Sequence, residues 1–324
     1  MDNQRFIGLL AIGVGAVVML AACKDSIAAP TETAAPAATE VHTTYPLTIR
    51  DLLGREVTIA APPQRIITTS PSAIEMLYAA GGEAIARSET SVHPDGVAGL
   101  PSVGPSYSPA FEHILELGPD LVLADASAQG HLAKAFDYGL RGIPVIFIGA
   151  VEYEDIATSI SLIGLIIDNQ ETADAAGSEL AAVLEEVHSL SKGKTSPRVL
   201  IMNGAISDFF VALPDSFVGN LVTLAGGENV ATNQPQTGRY PGYTQLSIEA
   251  IVETNPQVIL TITAGPPSGS TLADLVLEDP TYANLAAVTD GRVHNLDVEI
   301  YLQAPGPRAA EGLRALAALL FGAE

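Results

Sequence analysis

From Tyr45 onward the chain alternates short apolar runs with longer amphipathic stretches, the pattern of strands followed by helices. The run "RIITTS" (65–70) reads as a buried strand that passes through "PSA" into a helix, "AIEMLYAAGG", closed by paired glycines at its C-terminal cap. A loop, "RSETSVHPDGVAGLPSVGPSYSP", leads to the helix-strand unit "FEHILELGPDLVLA" (111–124), a helix near 130–140 and the strand "PVIFIG" (144–149). Strands alternating with helices predict parallel pairing through right-handed crossovers, and so an α/β lobe over residues 45–165.

Residues 152–192 then read as helical, broken around "DNQE". The second part keeps apolar residues at helical spacing for too long to belong to one small lobe. It predicts a connecting helix within 166–196. A second lobe, 197–324, starts as the first does: "RVLIMN" (198–203) parallels "RIITTS", and "FVGNLVTLAGG" ends in the same glycine pair. The unit at 111–124 returns at 248–261 as "IEAIVETNPQVILT". At a constant offset of 137 residues Glu112 matches Glu249, Ile114 matches Ile251, Glu116 matches Glu253, Pro119 matches Pro256 and Leu123 matches Leu260. A helix near 271–276, the strand "VHNLD" (293–297) and the helix "PRAAEGLRALAALLFG" complete the chain. The expected fold is two Rossmann-like α/β lobes joined by a long α-helix, with a ligand cleft outside the carboxyl ends of their strands. The loops at those ends are 88–110, 204–216, 232–246 and 298–307, and a helical connector restricts lobe closure to a small rocking motion.

The first residues have another character. Arg5 precedes the apolar run "FIGLLAIGVGAVVMLAA", which leads into "LAAC" at Cys23, the only cysteine. Seventeen residues is the short edge of a membrane-spanning length, and a lone cysteine is often a buried packing residue. Against both stands the Ala/Pro/Thr-rich stretch that follows, which has nothing to pack. The segment resembles a lipoprotein signal peptide (1–22) with a lipidated Cys23 and a flexible linker (23–44). Two acyl chains suffice for stable anchoring, so the resemblance implies a protein held outside the cell on a leash of roughly 60 Å at about 3 Å per residue.

Composition narrows the partners. Of 324 residues 48% are hydrophobic, enough for a sizeable core, while 37 acids against 15 bases give a formal charge of −22. That field repels nucleic acid. No H-E-x-x-H, G-x-S-x-G, G-x-x-x-x-G-K-[ST], G-x-G-x-x-G or C-x-x-C occurs, and no two of the six histidines sit at helical ligand spacing, so nothing local points to an enzyme.

The motifs in order, "SPSAIEML", "LPSVG", "FEHILELGPDLVLA", "SFVGNLVTLAGGENVA", "YTQLSIEAIVETNPQVIL" and "PGPRAAEGLRALAALL", resemble the class III periplasmic-type binding proteins of ABC importers. The likeness covers residues 45–324. It implies a monomeric, non-enzymatic, extracytoplasmic protein with no resident cofactor, whose ligand is a metal chelate: ferric siderophore first, cobalamin close behind, haem third. It further implies docking of Glu112 and Glu249 on the two subunits of a permease dimer. Among cleft candidates, His93 in "SVHPDG" is a possible metal ligand, and Tyr107 offers an aromatic wall. Phe209, Phe210, Arg239, Tyr240, Tyr243 and Tyr301 sit on or beside second-lobe loops, and Arg87 and Arg239 are the loop arginines able to meet an anionic chelate. Arg308, following a proline, reads equally as a helix-start packing residue. A cell-surface hydrolase or sensor built from the same lobes is the alternative.

Overall fold

The computed structural model describes residues 42–237, 241–264 and 269–322. A hairpin of β1 (Leu47–Arg50) and β2 (Glu56–Ile59) precedes the first lobe. That lobe carries β3 (Ile66–Thr68), β4 (Ala84–Ala86), β5 (Leu121–Asp125) and β6 (Val145–Ile148), all parallel in the order β4-β3-β5-β6. Its helices are α1 (Pro71–Ala79), α2 (Phe111–Leu117), α3 (Ala126–Gln129) and α4 (Ala133–Gly139). Next come α5 (Tyr153–Ile167) and α6 (Gln170–Ser191), separated where Asp168 takes a left-handed conformation with φ of 57°.

The second lobe has β7 (Arg198–Ala205), β8 (Asp208–Ala212), β9 (Glu228–Asn229), β10 (Tyr243–Thr244), β11 (Val258–Thr263) and β12 (Val293–Asn295). Its helices are α7 (Phe217–Leu224), α8 (Ile248–Thr254), α9 (Leu272–Glu278), α10 (Ala286–Thr289) and α11 (Ala309–Phe321). The parallel path β9-β7-β11-β12 repeats the order of the first sheet, and β8 and β10 extend it on the antiparallel side of β7. The duplication keeps register in space. Shifting α2 by 137 residues gives α8, and both helices end on a left-handed residue, Gly118 and Asn255.

Strand alternation sets the layers, because successive side chains leave a strand on opposite faces. Ile66, Leu121, Leu123, Ile146 and Ile148 bury on one side, while Ile67, Val122, Ala124 and Phe147 bury against α2 and α4 on the other. In the second sheet Val199, Ile201, Val258, Leu260 and Ile262 join the inner cluster, whereas Leu200, Met202 and Ile259 face Ile251 of α8 and Leu272 of α9. Both faces are covered, as parallel sheets require. The inner faces of both lobes, α5, α6 and α11 share one continuous apolar cluster. Among the described residues the lobes are joined through α5 and α6, both packed into that cluster, and not by strands crossing solvent.

The paired glycines seat the connector. Gly81 and Gly226 have φ of 79° and 93°, and each donates its amide to the carbonyl three residues back while the next glycine reaches five back. A Cβ on Gly81 would lie 2.4 Å from Asn169 Nδ2, at the start of α6, and one on Gly226 would lie 2.7 Å from Ser191 Cβ, at its end. Each lobe thus holds one end of a helix about 33 Å long at 1.5 Å per residue. Gly81→Ala or Gly226→Ala is expected to cost about 1–3 kcal/mol, from backbone strain and overpacking together. Urea unfolding measures it.

Candidate functional site

In doubly wound lobes the crevice opens where the strand order reverses, here beyond the carboxyl ends of β3 and β5. A buried polar network floors it. Asp125, last in β5, caps α3 through Ala128 N at 2.7 Å and accepts a short hydrogen bond from the Ser72 hydroxyl, and burial pushes its carboxyl pKa up. Gln129 accepts from Thr69 Oγ1 and from Asp125 N, both at 2.9 Å, and donates to Thr69 O and to Ser106 O. Through Ser106 the long loop before α2 is pinned to the strand ends.

Four charged or titratable side chains meet across the lobes. Arg308, at the N-cap position of α11, donates from Nε and Nη2 to Glu75 Oε1 of α1 at 3.0 and 2.8 Å, and from Nη2 to Glu299 Oε2 at 3.4 Å. His93 Nε2 approaches the same Glu299 oxygen at 3.5 Å. Pro71, Thr90, Val92, Gln303 and Ala304 complete a narrow slot around them. A wider groove of about 560 Å³ adjoins it, walled by Tyr78, Ala79, Pro94, Asp95 and Pro307, a size within the roughly 300–1,000 Å³ of small-ligand sites. The Glu75 side chain is only 5% exposed. Burial raises its pKa more than Arg308 lowers it, and Oε2 has no hydrogen-bond partner.

Several sequence candidates fall elsewhere. Tyr301 is 4% exposed and donates to Gly312 O at 2.9 Å, so it is a core residue under α11 and not a cleft wall; the missing Cβ of Gly312 makes room for its ring. Burial raises its pKa. Arg87 donates to the carbonyls of Ser88, Glu89 and Ala98, so its guanidinium staples its own loop instead of facing a ligand. Tyr243 in β10 packs half-buried against the inner cluster, which pushes its pKa up to about 12. Phe209 and Phe210 lie in β8, a strand where the sequence suggested a loop, and Phe209 packs on the outer core of the second lobe. Tyr107 stands 77% exposed on the loop beside Ser106, outside the slot.

Of the described candidates His93 lines the slot, and so does Arg308, which the sequence left open as a helix-start packing residue. Arg239, Tyr240 and Cys23 lie outside the described residues. Among the described residues no group of three or more His, Cys, Asp or Glu could hold a bare metal ion, and no helix is long and apolar enough to cross a membrane. Glu75 escaped the sequence reading, although a lone acid inside the apolar helix "AIEMLYAA" signals a buried partner.

Glu112 and Glu249 are both exposed in the first turns of α2 and α8. Ser247 caps α8 at Ala250 N, 3.2 Å away, and backbone and Ser247 hydrogen bonds hold the Glu249 carboxyl below its ordinary pKa. Ile114 and Ile251, two residues on, are fully buried, so the rigid outer core sets where each carboxylate points.

The sequence profile of the periplasmic binding protein family matches residues 66–299. An uncharacterised ABC transporter substrate-binding lipoprotein of Bacillus subtilis, YvrC, is 29% identical over 97% of this chain and 96% of its own. A cobalamin-binding protein of Halobacterium salinarum is 26% identical over 93% of this chain and 83% of its own. The crystal structure of an ABC transporter substrate-binding protein from Listeria monocytogenes superposes with a TM-score of 0.71 at 24% identity, covering 81% of this chain and 100% of that one.

Proposed function

The chain belongs to the periplasmic binding protein family, and from that premise we propose that it captures a metal chelate between its lobes and presents it to an ABC importer. The observation that carries this reading is the interlobe floor, where α1 and the loops beyond both sheets bring Glu75, His93, Glu299 and Arg308 together beside a groove of ligand size. The cobalamin-binding relative, aligned over most of the chain, favours a corrinoid over the ferric siderophore that the sequence alone puts first. Glu112 and Glu249 dock the loaded protein on a permease dimer, and diacylation of Cys23 keeps it at the membrane, a role supported by the lipoprotein relative.

Full-length protein in neutral detergent, mixed separately with cyanocobalamin, ferric hydroxamate, ferric catecholate and haem and then desalted, is expected to retain one chromophore at about one per chain. Retention of none, or turnover of a bound compound, sinks the reading in favour of a sensor or hydrolase.

A further inference from the structure

Resting on that reading, we propose that the cleft floor selects by charge: it admits uncharged or cationic chelates and rejects polyanionic ones, with Glu299 setting the discrimination. An anionic ligand needs a cation that is free to meet it. Among the described residues of the slot and groove the arginine is Arg308, and its charge is already balanced: Nε and Nη2 meet Glu75, and Nη2 also meets Glu299. Arg87, the other described arginine expected to serve, is bound to three carbonyls of its own loop.

The carboxylates are not matched in this way. Glu299 is 40% exposed at the slot and shares its outer oxygen between Arg308 and His93. Asp297 acts on the same guanidinium, and Asp95 lines the groove beside His93. Among the described residues, charged groups face the floor from α1 (Glu75), from the loop before α2 (His93, Asp95) and from the segment before α11 (Asp297, Glu299, Arg308). Their sum is negative in every protonation state of Glu75 and His93. Glu75 Oε2, buried and unpartnered near Gly306, adds negative charge and no donor while ionised. A chelate with a charge of −3 would enter against this field and against the −22 of the whole chain. An uncharged corrinoid or trihydroxamate complex would instead meet acceptors suited to its amide and hydroxyl donors.

The test is equilibrium binding by full-length protein in neutral detergent. The probes are cyanocobalamin and a neutral ferric trihydroxamate against a ferric tricatecholate of charge −3 and haem with its two carboxylates. The uncharged class is expected to bind at least tenfold more tightly. In Glu299→Gln the ratio of tricatecholate to uncharged affinity should rise about tenfold, the Coulomb factor for three charges at roughly 10 Å in a water-like medium. The wild-type ratio should narrow between about 0.05 and 0.5 M salt as screening shortens the field. Tighter binding of the tricatecholate or haem, or a ratio indifferent to both Glu299→Gln and salt, overturns the charge rule and leaves chelate capture standing. Binding of none of the four overturns both.

Discussion

Arg308→Ala is expected to lower the unfolding free energy by about 3–5 kcal/mol at neutral pH, the range for removing one partner of a buried ion pair. The cost comes from what is left behind. Glu75 is almost fully enclosed, one of its oxygens already lacks a partner, and Arg308 supplies both bonds to the other. Replacing Glu75 as well, by leucine in Glu75→Leu/Arg308→Ala, should restore most of the loss, since no buried charge then remains. The pH dependence has a definite sign. Glu75 has a folded pKa above its ordinary value, so its contribution is fully present below the ordinary glutamate range and is lost as pH rises through the folded pKa. Removing Arg308 removes the charge that opposes this rise. The deficit of the variant should therefore be largest at neutral pH and shrink on acidification, which urea unfolding at several pH values measures. A deficit under about 1 kcal/mol, or one that grows in acid, would show that the interlobe pair is a surface contact.

That pair also marks where sequence reading stops. The lobes were legible because their signals are local: apolar runs of strand length, a glycine pair closing α1 and α7, and a helix-strand unit whose copy needs no gap. The break before α6 was legible too, since "DNQE" interrupts an apolar period and Asp168 tolerates the left-handed turn. Glu75 and Arg308 stand 233 positions apart, and no periodicity joins them. Tyr301 failed for a related reason. Its loop is rich in proline and glycine, yet the chain winds there into a π turn that sends the ring under α11. Exposed and buried aromatics look alike in such a stretch. The β1–β2 hairpin and β8 were missed because they mix exposed and buried positions over only four or five residues, whereas β3, β5 and β6 are continuous buried, largely apolar runs.

Glu112→Lys and Glu249→Lys together are expected to abolish importer-dependent uptake while leaving chelate binding unchanged and lowering the unfolding midpoint only slightly, as a reversed charge at an exposed helix start does. Both residues are exposed, neither lines the slot, and the isoleucine two positions later anchors each helix independently of the acid. Folding therefore has little stake in them. Docking has more, because a carboxylate presented once by each lobe, in the same helical register, suits a two-fold partner carrying one cationic pocket per subunit. Losing a desolvated charge pair weakens a complex by about 30-fold or more, so each single reversal should reduce docking by that factor and the double by roughly 1,000-fold. Two equal single effects would assign one pocket to each lobe. One silent reversal would mean that a single lobe carries the contact and that the matched register is only a relic of duplication. The measurement is permease binding in nanodiscs with the two single variants and the double, each loaded with the retained chelate. Wild-type binding by the double variant removes these glutamates from the importer interface altogether.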